Sequence, residues 1–185
     1  MILPIYVYGQ PVLKKRASDI DQDYEGLGGL IADMWETMYQ AKGVGLAAPQ
    51  IGRSIRLFVV DTIQLEDEDK EYKGIKQVFI NARKLNEDGD LWEYEEGCLS
   101  IPQIRAEVER PERIRLRYLD EKFEEHDVVF EGITARVIQH EYDHTEGILF
   151  TELVKPLKRR LIRRKLDNLR KGIMEVDYPV RIARR

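Results

Sequence analysis

The sequence predicts an α+β domain with mainly antiparallel sheets. Three observations carry this. Several short extended runs follow one another between residues 77 and 132. One helical pattern precedes them. Two more follow, at about 134–146 and about 153–171.

In chain order, "DYEGLGGLIADMWETMYQAKG" (23–43) places Leu27, Leu30, Ile31, Met34, Trp35 and Met38 at spacings of three and four, giving one helical face, with Gly43 as the stop. "IRLFVVD" (55–61) reads as a buried strand. "EDEDKE" (66–71) has five acids in six residues and reads as a solvated surface loop. The extended runs are 77–83, 91–96, 104–110, 113–119 and 126–132. In "RIRLRYL" arginines alternate with Ile114, Leu116 and Tyr118, so one face is polar and the other apolar. Thr134 is placed to cap the next helix and Gly147 to end it. In the last helix Leu157, Leu161, Leu166 and Leu169 form an apolar stripe, opposite positive charge. The tail "GIMEVDYPVRIARR" reads as irregular or as a short extra strand. His126 reads as a surface residue at the start of a strand.

Composition narrows the class. With 43% hydrophobic and 35% charged residues, the chain of 185 residues can bury one core under a polar surface. It has no run of 18 apolar residues, so no membrane span is expected. The start lacks a basic region followed by an apolar stretch and does not read as a signal peptide. Cys98 is the only cysteine, which excludes an internal disulfide and fits a reducing cytoplasm. Residues 155–171 carry nine basic side chains against one acid, on a chain of net charge −4. That patch suits an anionic partner, or a solvated face on a docking helix.

The chemistry starts at "RVIQHEYDHTEG". His140 and His144 are four apart, so a helix stacks both imidazoles on one face. Glu141 lies about 100° round the helix, better placed to hold a water than to bind an ion. H-E-x-x-H marks metal hydrolases, although alone it also fits a polar helix face with solvated histidines. "EEGCLSIP" (95–102) adds a thiol just after a strand. Cys98, His140 and His144 make three protein ligands, which leaves a fourth tetrahedral position for water, the pattern of a catalytic site. "GVGLAAPQIG" (43–52) adds two glycines for close backbone approach and the amide of Gln50. It is not a nucleotide loop, since it lacks both G-x-G-x-x-G after a strand and a P-loop lysine.

Gly43 to Gln50, Glu96 to Ser100 and His140 to His144 resemble, in this order, the three motifs of peptide deformylase. The resemblance covers roughly residues 1–172, with the bacterial type I branch suggested by the basic C-terminal helix. It implies mixed, mainly antiparallel sheets around a central HExxH helix, and one catalytic domain over 1–172 with an extension over 173–185. It implies removal of the formyl group from N-formylmethionyl nascent peptides in the cytoplasm. Glu141 would then be the base, with the Leu99 N–H and the Gln50 side chain facing the oxyanion. Val44, Gly45, Glu96 and Gly97 would wall the peptide groove. Val44, Tyr94, Ile133 and Val137 would line the methionine pocket, and Arg105 would anchor the peptide further along. Ligand types alone favour zinc over iron. The resemblance implies native Fe2+, with Zn2+, Ni2+ or Co2+ able to substitute, and docking of the basic helix on ribosomal RNA. Arg136 and Thr145 depart from the residues many members carry. A general HExxH metallopeptidase and a non-catalytic ribosome-binding metal module remain as alternatives.

Overall fold

The run "LFVVD" is apolar on both faces because both are covered. A computed structural model of the chain describes residues 1–65 and 73–183; the acidic run 66–71 lies outside them. In it β3 (Leu57–Asp61) is buried throughout. Leu57 and Val59 pack with Ile31, Met34 and Met38 of α1 (Leu27–Gln40). Phe58 and Val60 pack with Ala135, Ile138 and Tyr142 of α2 (Gly132–Glu146). The period of two along a strand thus assigns alternate residues to two helices.

Five strands form one antiparallel sheet in the order β2-β3-β4-β5-β6, with β2 at Gly45–Ala47, β4 at Lys76–Cys98, β5 at Ile101–Leu119 and β6 at Glu125–Glu131. A separate parallel pair joins β1 (Ile5–Tyr6) to β7 (Val180–Arg181). The tail therefore does contain a short strand. The runs expected as four strands merge into two. In the pairing, Asp88 faces Arg113 and Leu91 faces Pro111, so β4 holds one extra residue there. Gly89, at φ 87°, sits in this bulge. A bulge lets the strand pass Pro111, which cannot donate to the ladder.

Helix boundaries also differ from expectation. α1 ends at Gln40, and Lys42, not Gly43, takes the left-handed conformation (φ 58°). The Gly43 N–H bonds to Met38 O at 2.8 Å and the Lys42 N–H to Tyr39 O at 3.0 Å, a paired C-terminal motif. Gly43 serves a different need: a Cβ there would lie 2.8 Å from Leu99 Cδ1. Thr134 lies inside α2 and does not cap it; its hydroxyl is 3.0 Å from that of Thr62. Gly147 ends α2 as expected, at φ 74°.

α3 spans Pro156–Arg170, with proline in its first turn. Its buried stripe is Leu166 and Leu169, with Ile162 partly buried. Leu157 and Leu161 are 74% and 76% exposed. The step of five from Leu161 to Leu166 turns about 500°, which moves them off the packed face.

Candidate metal centre and peptide groove

α2 is buried from Thr134 to Thr145 without a break. A helix so placed cannot leave its polar side chains to water, so each needs a partner inside. His140 and His144 stack edge to face at 5.0 Å, one turn apart. Across from them, β4 and β5 meet in a two-residue turn, Leu99–Ser100, with Cys98 paired to Ile101. That turn delivers the sulfur. Cys98 Sγ stands 3.3 Å from His144 Nε2. The donor atoms of Cys98, His140 and His144 all lie within 4.8 Å of one another.

These residues fit a divalent ion. Two ligands bonded at about 2.3 Å (sulfur) and about 2.0–2.1 Å (nitrogen) stand about 3.5 Å apart across a tetrahedral angle. His140 Nδ1 is 2.8 Å from Glu96 Oε1, which orients the ring with its other nitrogen free for the ion.

Glu96 is the hub behind the ligands. Its carboxylate accepts from Arg110 Nε (2.8 Å) and Nη2 (3.0 Å), and from Arg136 Nη1 (3.0 Å). Burial would push Glu96 up, but the His140 and Arg110 hydrogen bonds outweigh it and hold the group well below the usual carboxylate range. Arg110 also donates to Asp143 at 2.7 Å. No local pattern announces Arg110 and Asp143, because Arg110 lies 14 residues from Glu96 and 33 from Asp143 in the chain.

Glu141 is in contrast left alone. Its Oε2 is buried with no hydrogen-bond partner among the described residues. Burial pushes its carboxyl up to about 7, against the pull of His140. Room for it comes from Gly45, where a Cβ would lie 2.5 Å from Glu141 Oε1. Gln50 accepts the Ala47 N–H with Oε1 (2.8 Å), so its NH2 faces the site, 3.2 Å from Ser100 Oγ and 3.4 Å from Cys98 Sγ.

One cavity of about 840 Å³ collects these groups. Every candidate site residue read from the sequence borders it except His144, whose Nε2 is 3.3 Å from the Cys98 sulfur. Val44 and Gly45 border it from β2, and Tyr94, Glu96 and Gly97 from β4. Leu99 borders it from the turn, Arg105 from β5, and Ile133 and Val137 from α2. β2 pairs only with β3, and β4 beyond Ile80 only with β5, among the described residues. Each therefore has an open edge. Arg105 is tied to Glu95 through Nε at 2.9 Å. Arg136 also borders the cavity, but its guanidinium is spent on Glu96, Val108 O and Trp92 O, and lies 4.4 Å from the Trp92 ring centroid. The C-terminal segment Glu175–Tyr178 completes the lining, which nothing in its composition announced.

The chain is similar to proteins of one family along nearly its whole length. The sequence model of the polypeptide deformylase family matches residues 2–160. The chain is 50% identical to a peptide deformylase of Christiangramia forsetii, over 98% of this chain and 96% of the relative. It is 48% identical to one of Salinibacter ruber, over 97% and 94%. Among solved structures, the peptide deformylase of Thermus thermophilus superposes with a TM-score of 0.82 at 42% identity, covering 93% of this chain and 99% of that one. That of Synechococcus elongatus, solved with actinonin, gives 0.77 at 38% identity, covering 98% and 92%. Since the likeness spans nearly the whole length in sequence and in fold, the chain belongs to the peptide deformylase family, a family of metal-dependent hydrolases.

Proposed function

We propose that Cys98, His140 and His144 hold the ion, Fe2+ in the cell, with Zn2+, Ni2+ or Co2+ able to take its place, and that Glu141 is the catalytic base. As a peptide deformylase the enzyme removes the N-terminal formyl group of formylmethionine from nascent polypeptides and releases formate. The observation that carries the site assignment is the meeting of one sulfur and two imidazoles beside a carboxylate with a free oxygen. When bound, such an ion acts as a Lewis acid and brings the pKa of water from about 15.7 towards 7. The rest falls to the chain. A carboxyl that titrates near neutrality can take a proton from water and return it to the leaving amine, which is worth roughly 10²–10⁴-fold. The Gln50 NH2 and the Leu99 N–H donate to the oxyanion of the tetrahedral intermediate, and losing one such donor costs about 2.7–4 kcal/mol.

The open edges at Val44–Gly45 and Glu96–Gly97 suit an extended peptide laid between them, held by main-chain hydrogen bonds. Val44, Tyr94, Ile133 and Val137 give the methionine side chain an apolar pocket. Arg136 leaves it so, because its charge is consumed by Glu96 and two carbonyls. Arg105 anchors residues further along. Incubation with formyl-Met-Ala and with Met-Ala tests the activity. Formate from the first and no cleavage of the second is the expected result. Cleavage of Met-Ala would favour a general metallopeptidase, and inertness towards both a non-catalytic module.

The basic helix α3 supports a second contact, with ribosomal RNA, in the cytoplasm where nascent chains emerge. Lys155 and Lys158 are paired with Glu93 and Glu107. Arg159, Arg160, Arg163 and Arg164 are exposed and make no ion pair among the described residues. Ribosome binding should weaken steeply as salt rises and when Arg160 and Arg164 are both changed to Gln. Affinity indifferent to both would discard the contact. Among the described residues, no helix is long and apolar enough to cross a membrane.

A further inference from the structure

The residues after α3 turn back over the cavity as an extended strap. From Gly172 to Val180 exposure alternates strictly: Met174, Val176, Tyr178 and Val180 are partly covered, and the residues between them are exposed. A period of two is that of an extended segment with one face against the body. Met174 and Val180 pack on the core that holds Ile101, Ile104 and Leu166. β7 then locks the strap to β1, with the Ile5 N–H bonded to Pro179 O at 2.9 Å and the Val7 N–H to Arg181 O at 2.9 Å. Between these anchors the chain passes along the groove.

Two contacts tie it to the groove itself. Asp177 meets Lys42 at 2.9 Å, two residues before Val44. Both side chains are largely exposed, so this pair marks the rim without holding it. The Tyr178 hydroxyl, by contrast, donates to Leu99 O at 2.8 Å. Leu99 is the first residue of the turn that follows the Cys98 ligand. The second, Ser100, is already held twice: its carbonyl by the Tyr8 N–H at 2.8 Å and its hydroxyl by Gln50. Tyr178 supplies the matching hold on Leu99. The Leu99 carbonyl is rigid with the Ser100 N–H across one planar peptide, and only the φ and ψ of Leu99 separate it from the Leu99 N–H, so anchoring it narrows the directions that N–H can take.

We infer that residues 175–178 form a third wall of the peptide groove and that Tyr178 is a positioning residue, keeping the Leu99 N–H aimed at the developing oxyanion. This rests on the assignment of Leu99 and Gln50 as oxyanion donors. Misplacing a reacting group by about 1 Å costs on the order of 10²-fold, and releasing one of the holds on a turn costs less, about tenfold.

The test uses the full-length, metal-loaded enzyme with formyl-Met-Ala and formyl-Met-Ala-Ser. Tyr178→Phe keeps the ring and removes the hydroxyl. Its kcat should fall about tenfold on both substrates while KM stays within about twofold, because the lost interaction serves the transition state. Metal content should be unchanged. Hydrogen exchange of the segment 97–101 should quicken by about fivefold or more, with the rest of the β4–β5 hairpin unaltered. Tyr178→Ala should show the same loss of kcat and also a raised KM for the tripeptide. Wild-type kcat and exchange in Tyr178→Phe would overturn the positioning role, and an unchanged tripeptide KM in Tyr178→Ala would overturn the wall. Gln50→Ala separates the two layers. If it turns over normally, the oxyanion assignment itself fails; if it is crippled while Tyr178→Phe is not, only the present inference fails.

Discussion

Glu96 Oε1 lies 2.8 Å from His140 Nδ1, and through this one contact the buried charge network of the core is joined to the metal centre. The same carboxylate pairs with both Arg110 and Arg136. Its removal leaves Arg136 without a carboxylate and Arg110 with Asp143 alone, and it frees a ligand ring at once. Glu96→Ala should therefore lose about 3–5 kcal/mol of stability. Metal affinity should drop by about 10–100-fold. Chemical denaturation and competitive metal titration would check both. A variant that loses stability but binds metal normally would show that the ring does not depend on Glu96.

Glu141 and Cys98 should fail in different ways. Glu141→Ala should retain stoichiometric metal and lose turnover by roughly 10²–10⁴-fold. Cys98→Ala should lose metal on dialysis, because only the two imidazoles remain. Elemental analysis alongside formate release separates the two. An active Glu141→Ala enzyme would refute the base.

Gly45→Ala probes the space reserved for that base. The added methyl would sit 2.5 Å from Glu141 Oε1 and 2.7 Å from its Cγ, so the carboxylate must move. We expect kcat to drop by about 10²-fold with metal content intact, since displacement of about 1 Å at a reacting group has that effect. A crystal structure of the variant should show Glu141 displaced.

Far from the site, Asp120 governs the turn between β5 and β6. It accepts the Lys122 and Glu124 N–H groups and stands 2.7 Å from His126 Nε2, whose ring stacks on Tyr118. The His126 bond holds this carboxyl below its ordinary range, against some burial. A carboxyl depressed in the folded state contributes stability above its unfolded pKa, about 3.9, and loses it as pH falls through the folded value. Asp120→Asn should melt below the wild type at pH 7, and the gap should close as pH falls below about 4. A gap independent of pH would mean that the charge plays no part.

The motifs are legible because their spacing is local. Two histidines four apart need only a helix to meet, and Gly43 to Gln50 and Glu96 to Ser100 are single turns or strand ends. What could not be read depends on distance along the chain. Arg110 finds Glu96 and Asp143 only once the hairpin and α2 are packed. The merging of four expected strands into two hinges on a bulge at Gly89 that excuses Pro111. The leucine stripe expected on α3 mixes two faces, because a step of five sits among steps of three and four. The strap at 175–178 has no motif; its place follows from β7 pairing with β1 at the other end of the sequence.

The unbroken burial of α2 has an evolutionary corollary. Since the side chains that do chemistry are also those that fill the centre, this helix cannot be retuned for a new substrate without rebuilding its surroundings. Diversification of the enzyme is thereby pushed outward, to the rim of the cleft and the strap beside it.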